Sequence, residues 1–241
     1  VLDFENFSFK LLNSHLSGTG TMEDFAQPKL TTQAVGDLDL AAFHRFFGFK
    51  NVEELAGNVK LDLSCVILFF HPEYRKDRFE IQSSNGNITL GNVVYKSVND
   101  ELRYTNISGD ILVQGKDAAA KNLSIKTQNS DLTLNGALKN FVPFVEGSGS
   151  LGLIASLESS NFDLNEFLGP SNKEKEGPLT MFQLPGNINV NIQMHIDRFL
   201  WDNHTFEAIT GQFLLANRKV TVNQMRLKTL GGNAKGKLVL E

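Results

Sequence analysis

From Ile188 to Ile196 the apolar residues Ile188, Val190, Ile192, Met194 and Ile196 alternate with Asn189, Asn191, Gln193 and His195. Only an extended strand gathers such a set onto one side, because its side chains point alternately to two faces; a helix would spread them around its axis. The same alternation recurs at Val59, Leu61, Leu63; Phe79, Ile81; Ile88, Leu90; Ile111, Val113; Leu123, Ile125; Leu132, Leu134; Leu151, Leu153, Ala155, Leu157; Phe213, Leu215; Val220, Val222; and Met225, Leu227. Ser84-Asn85-Gly86-Asn87, Asn129-Ser130-Asp131 and Ala216-Asn217-Arg218-Lys219 stand between runs at hairpin spacing and read as turns. That spacing favours antiparallel neighbours over crossover helices. The expected fold class is all-β.

Two segments break the alternation with helical spacing. One is Asp39 to Phe49, with Leu40, Phe43 and Phe47; the other is Asp163 to Leu168, with Leu164, Phe167 and Leu168. Each opens on an Asp, whose carboxylate can accept from the unpaired amides of a first helical turn. Residues 169–186, with Pro170, Lys173-Glu174-Lys175-Glu176, Gly177-Pro178 and Pro185-Gly186, read as an exposed loop between a β-region over 1–168 and a C-terminal β-region over 187–241. The two regions are expected to form one continuous structural domain. Beginning at Val1 inside one alternating pattern and ending at Leu240 and Glu241 after another, the chain reads as a piece of a longer protein.

Composition narrows the function classes. At 241 residues and 41% hydrophobic the chain can bury a sizeable core. Its 23 Lys and Arg against 27 Asp and Glu include no basic run, which excludes nucleic acid as a partner. The longest apolar run, Cys65 to Phe70, is far short of the roughly 20 residues of a membrane-spanning helix. Cys65, the single cysteine, excludes a disulfide framework and reads as a small buried hydrophobe beside Val66, Ile67 and Leu68. His15, His44, His71, His195 and His204 lack metal-ligand spacing, and no Gly-x-Ser-x-Gly elbow is present, so neither a catalytic centre, a metal nor a cofactor is expected. Gly147-Ser148-Gly149-Ser150-Leu151-Gly152 runs into a strand rather than a helix and reads as a glycine-rich turn. Glu53-Glu54 reads as a solvated turn. Asn6-Phe7-Ser8, Asn87-Ile88-Thr89, Asn106-Ile107-Ser108, Asn122-Leu123-Ser124 and Asn203-His204-Thr205 fit the glycosylation acceptor, a pattern that Asn-rich strand faces also generate. The 19 Phe against one Trp and three Tyr suit a dry interior or contact with acyl chains better than a sugar site, which favours rings with polar ends.

An internal repeat adds architecture. Ile107-Ser108-Gly109-Asp110-Ile111-Leu112-Val113 matches Ile209-Thr210-Gly211-Gln212-Phe213-Leu214-Leu215, and Leu123-Ser124-Ile125-Lys126-Thr127 matches Met225-Arg226-Leu227-Lys228-Thr229, both 102 residues on. Phe79-x-Ile81 with Ile88-Thr89-Leu90 is spaced like Leu123-x-Ile125 with Leu132-Thr133-Leu134. Leu55-Ala56-Gly57-Asn58-Val59 echoes the Ile-x-Gly-x-Ile element, and Leu38-Asp39-Leu40 echoes Phe162-Asp163-Leu164. Units that cannot bury an apolar face alone must stack on their neighbours, so the repeat favours an elongated β-structure over a sandwich.

The run Phe206-x-x-Ile209-x-Gly211-x-Phe213-x-Leu215, then Val220-x-Val222-x-x-Met225-x-Leu227-x-Thr229-x-Gly231-Gly232-x-Ala234-x-Gly236-x-Leu238, resembles the C-terminal β-region of the AsmA-like family, envelope proteins of the AsmA/TamB type. The Asp39 and Asp163 elements are similar to ones that precede further β-repeats there. The resemblance implies a periplasmic protein of Gram-negative bacteria, tethered to the inner membrane by a segment outside this chain. It further implies an antiparallel sheet curled into a groove that serves outer-membrane biogenesis by carrying phospholipid or another acyl-chain lipid, with envelope proteins as possible partners. Ile188, Val190, Ile192, Met194, Ile196, Phe213, Leu215, Val220, Val222, Ile111 and Val113 are the candidate groove lining. The alternative is a structural or adhesive β-module with a closed apolar core.

Overall fold

A computed structural model describes residues 1–70, 79–99, 101–168 and 187–240. The alternating runs are strands: β1 (Leu2–Leu11), β2 (Ser14–Glu23), β3 (Lys29–Asp39), β4 (Val52–Phe69), β5 (Phe79–Ser97), β6 (Arg103–Gly115), β7 (Asp117–Lys126), β8 (Asp131–Lys139), β9 (Leu151–Asp163), β10 (Ile188–Trp201), β11 (His204–Ala216), β12 (Lys219–Thr229) and β13 (Gly232–Leu240). Helix α1 (Leu40–Phe47) follows β3, α2 (Phe141–Val145) follows β8 and α3 (Leu164–Leu168) follows β9. The thirteen strands lie side by side in chain order in one elongated sheet, whose outermost strands β1 and β13 each have a single neighbour. The sheet has two ends. One carries the β1–β2 turn, α1 and α3; the other carries the β2–β3 loop and α2.

Glu53 and Glu54, expected on a solvated turn, lie instead at the start of strand β4. The fold departs from the sequence expectation in three larger respects. First, β9 and β10 are parallel, with Ile188 beside Leu151 and Leu200 beside Asp163, while the other neighbours are antiparallel. The chain therefore leaves β9 at the α1 end and re-enters as β10 at the α2 end; the loop expected at 169–186 lies outside the described residues. Second, Ser84-Asn85-Gly86-Asn87 is no turn. It lies inside β5, where a Cβ on Gly86 (φ +140°) would sit 1.9 Å from the Asp62 carbonyl oxygen of β4, so the glycine serves a close strand approach. The match of Phe79–Leu90 to Leu123–Leu134 therefore fails, one strand standing against the two strands β7 and β8. Third, α2 is a helix beyond the two expected. Its segment Phe141-Val142-Pro143-Phe144-Val145 has no apolar periodicity to announce it, and tertiary contacts hold it: Val142 N–H donates to the Lys116 carbonyl (3.1 Å) and Glu146 Oε1 accepts from Ile81 N–H (2.6 Å).

The 102-residue repeat is present in the backbone. Ile111 pairs with Ala120 and Val113 with Ala118; 102 residues on, Phe213 pairs with Val222 and Leu215 with Val220. Left-handed residues interrupt both copies at matching places, Asn106 and Ala208, then Asn122 and Gln224, and the pairing register slips at the same points. The Leu55–Val59 echo belongs to this set, since Gly57 (φ +97°) lies against left-handed Asn92 of β5 as Gly109 (φ +147°) lies against Asn122 of β7.

The two expected helix corners share one hydrogen-bond scheme. The amide of Asp39 donates to Ser14 Oγ (2.9 Å) and that of Asp163 to Ser130 Oγ (3.0 Å), while Asn13 and Asn129 donate to the respective carboxylates. Asp39 also accepts from Ala42 N–H (3.1 Å), the expected N-cap, and left-handed Gly48 closes α1 on the His44 carbonyl.

Candidate functional site: the apolar face of the sheet

Directly paired residues of neighbouring strands point their side chains to the same face, so the registers can be chained across the sheet. One row runs Phe9, Leu16, Gly36, Leu61, Ile88, Ile111, Ala120, Gly136, Ala155, Ile192, Phe213, Val222, Leu238. It crosses every strand without a polar side chain. Two residues along, Phe7, Gly18, Ala34, Leu63, Gly86, Val113, Ala118, Leu138, Leu153, Val190, Leu215 and Val220 form a second such row from β1 to β12. The opposite face is mixed: the row between these two carries Val35, Leu112, Ala119, Ala137, Ile154 and Leu214 beside Asp62, Asn87, Asn191 and Thr221, and the row on the other side of the first is polar. Lys10, His15, Asp37, Lys60, Thr89, Asp110 and Lys121 follow one another across β1 to β7, and Asn135, Ser156, Gln193, Gln212 and Asn223 across β8 to β12. Opposite charges directly across strands each stabilise the sheet by about 0.2–1 kcal/mol.

All eleven expected lining residues lie on the apolar face, and Ile111 and Phe213 stand in the same row. Ile111, Val113, Ile192, Ile196, Leu215, Val220 and Val222 are buried; Ile188, Val190, Met194 and Phe213 are half-buried. The expectation was incomplete toward the amino-terminal strands, where Phe7, Phe9, Leu16, Leu61 and Leu63 continue the rows. Their alternation was visible in β4, but in β2 and β3 it is broken by Gly18, Gly20, Ala34 and Gly36, which occupy in-phase positions with little or no side chain.

Helix α2 covers the middle of the face. Val142 is buried against Ile111, Val113 and Ala118, with Leu63, Ile81, Ile88, Leu138 and Phe141 packed around them. At the α1 end, Phe162, Phe199 and Phe206 lie beside one another on β9, β10 and β11 with ring centroids 5.6 and 6.1 Å apart, and Phe167 of α3 stacks on Phe162 at 5.0 Å. This stack anchors α3. Its Glu166 carboxylate accepts from Thr127 Oγ1, Asn129 N–H and Ser130 Oγ, each at 2.7 Å, and so ties the β7–β8 turn to the helix.

Cys65 stands in phase with Leu61 and Leu63 on the apolar face, half-buried; burial pushes its thiol pKa up and disfavours the thiolate. Asp131 accepts from two backbone amides: burial alone would raise its pKa, but the amides of Asn161 and Ser160 and the Ser160 and Ser159 side chains hold it below the usual range. Among the described residues no group of three or more His, Cys, Asp or Glu is placed to hold a metal ion, and no helix is long and apolar enough to cross a membrane. No family model, curated protein or solved structure matches the chain.

Proposed function

We propose that this chain is a non-enzymatic AsmA-like module of the Gram-negative envelope that holds phospholipid acyl chains against its apolar face, in a transfer or scaffold role in outer-membrane biogenesis. On this reading the face curls into a groove, and the protein lies in the periplasm, tethered to the inner membrane through a segment outside this chain. The observation that carries the reading is the apolar row crossing all thirteen strands of a single sheet. A surface of that length offers acyl chains a continuous path, and burial of CH₂ groups on it would stabilise a bound chain by about 0.8 kcal/mol each. A second reading, a structural or adhesive module closed on a protein layer, is favoured by α2, which already seats protein on the middle of the face.

The purified chain, extracted with organic solvent and examined by lipid mass spectrometry, should release phospholipid. Phe213→Lys, at a half-buried position of the row on β11 and away from α2, should lower retained lipid at least tenfold with a modest change in melting temperature. A wild-type protein free of lipid, together with a loss of about 3–5 kcal/mol of stability in Phe213→Lys, would favour the closed module.

A further inference from the structure

The two outermost strands leave unpaired amides and carbonyls along the edges of the sheet, and natural sheets ordinarily blunt such edges with proline, by shortening the strand or by covering it. Here β1 runs ten residues and β13 nine, neither carries a proline, and every described side chain of β13 is exposed. The single parallel step sets how these edges relate. Strict alternation over thirteen strands would leave β13 running the same way as β1; the parallel pairing of β9 with β10 reverses it, so the two edges run in opposite directions. A copy of the chain placed beside the first in the same orientation therefore offers its β1 antiparallel to β13, with both apolar faces on one side.

We propose that β13 of one copy pairs with β1 of a second copy of this chain, joining the two head to tail into one longer sheet. The edges match in length and in shape. β1 carries a bulge between Phe4 and Phe7, so its ten residues present nine positions, one for each residue of β13. In that register Phe4 stands opposite Leu238, Phe7 opposite Gly236 and Phe9 opposite Ala234, much as Phe4 and Phe7 already stand opposite Gly20 and Gly18 of β2. Charge favours the same partner. On the face opposite the apolar rows Lys235 lies directly across from Arg226 of β12, Lys237 follows it, and β13 holds no acid, whereas β1 opens with Asp3 and Glu5. None of Asp3, Glu5, Lys235 and Lys237 has an ion-pair partner among the described residues. The register sets Lys237 against Glu5 with Asp3 on the diagonal, Lys235 against Ser8, and Lys10 against Asn233. Pairing β13 with another β13 over its full length would instead set Lys235 against Lys237, and like charges directly opposite destabilise a sheet. The contact goes beyond the acyl-chain reading, since it uses the strand edges and not the apolar face.

Sedimentation velocity of the chain over a range of concentrations tests this. Wild type should associate progressively and beyond a dimer, because a head-to-tail contact leaves one free edge at each end of the assembly. Lys237→Glu and Glu5→Lys should each weaken association about tenfold, with melting temperatures unchanged because both side chains are exposed. The double variant E5K/K237E should associate as wild type does, since the pair is restored with its signs exchanged. Wild type that stays monomeric would overturn the proposal. So would association that stops at a dimer and is indifferent to Lys237→Glu, the outcome expected of two β1 edges pairing with each other, or a double variant no better than either single one. Lipid extracted from the same wild-type preparation reads the apolar face separately, so either idea can fail alone.

Discussion

The unit β6–β8 and the unit β11–β13 share pairing register, left-handed interruptions and turn positions, yet they differ in side-chain volume at several inward positions, and not all in one direction, since Leu132 and Leu134 stand where the second copy has Ala234 and Gly236. Ile111, Val113, Ala118, Ala120 and Gly136 in the first copy stand where Phe213, Leu215, Val220, Val222 and Leu238 stand in the second. The helices account for much of the difference. Val142 of α2 fills the space above Ala118 and Val113, so the sheet beneath must be low; α2 has its main contacts on β5, β7 and β9, and the larger side chains of the second copy occupy that volume themselves. Close packing demands that the space be filled once, by the sheet or by the helix. Two similar backbones thus carry different side-chain volumes, and both keep their inward residues buried, with Leu215 and Val222 at 6% exposure beside Val113 at 2%.

The largest expected effect probes where the backbones stop being equal. Gly109 has φ +147°, and a Cβ there would lie 2.7 Å from the Asn122 carbonyl oxygen; at its counterpart Gly211 the nearest atom is 3.1 Å away. Gly109→Ala should cost about 3 kcal/mol in chemical denaturation and Gly211→Ala about 1 kcal/mol or less. Equal losses would mean that the copies are strained alike.

Volume comes next. Ala118→Leu drives two branches into α2 and should cost about 2 kcal/mol, whereas Val220→Leu at the matching position should cost about 1 kcal/mol or less. Hydrogen exchange should show the amides of residues 141–147 opening in the first variant and not in the second. Protection of those amides unchanged in Ala118→Leu would remove α2 as the cause of the size difference.

The smallest effect concerns the paired corners. The hydrogen bond from Ala42 N–H, with help from Asn13, holds the Asp39 carboxyl below the usual carboxylate range. A carboxylate whose folded pKa is depressed contributes stability above its unfolded value, about 3.9, and loses that contribution as pH falls through the folded value. Asp39→Ala should therefore cost about 1 kcal/mol at neutral pH, with the gap to wild type closing below about pH 4. Asp163→Ala, which removes the acceptor of Asn165 N–H, should cost a similar amount. A deficit in Asp39→Ala that persists at pH 2 would show that packing, not the charged cap, sets the corner.

What the chain states locally is what its residues can express over a few positions. Period-two alternation specified the strands, because only an extended backbone sorts the apolar residues between Ile188 and Ile196 onto one side; Asp39 and Asp163 marked helix starts, because the capping carboxylate precedes the helix by one residue; and the 102-residue repeat specified two equivalent strand-turn-strand units, whose left-handed interruptions only the structure showed. What the tertiary structure decided depends on atoms distant in sequence. Gly86 reads as a turn until β4 is placed against it, since close backbone approach and a tight turn both demand a missing Cβ. The α2 segment has no helical period, and its shape comes from Lys116, Ile81 and the small side chains beneath it. The parallel pairing of β9 with β10 follows from where the chain re-enters the sheet, a choice that alternation leaves open because a strand presents the same two faces in either direction.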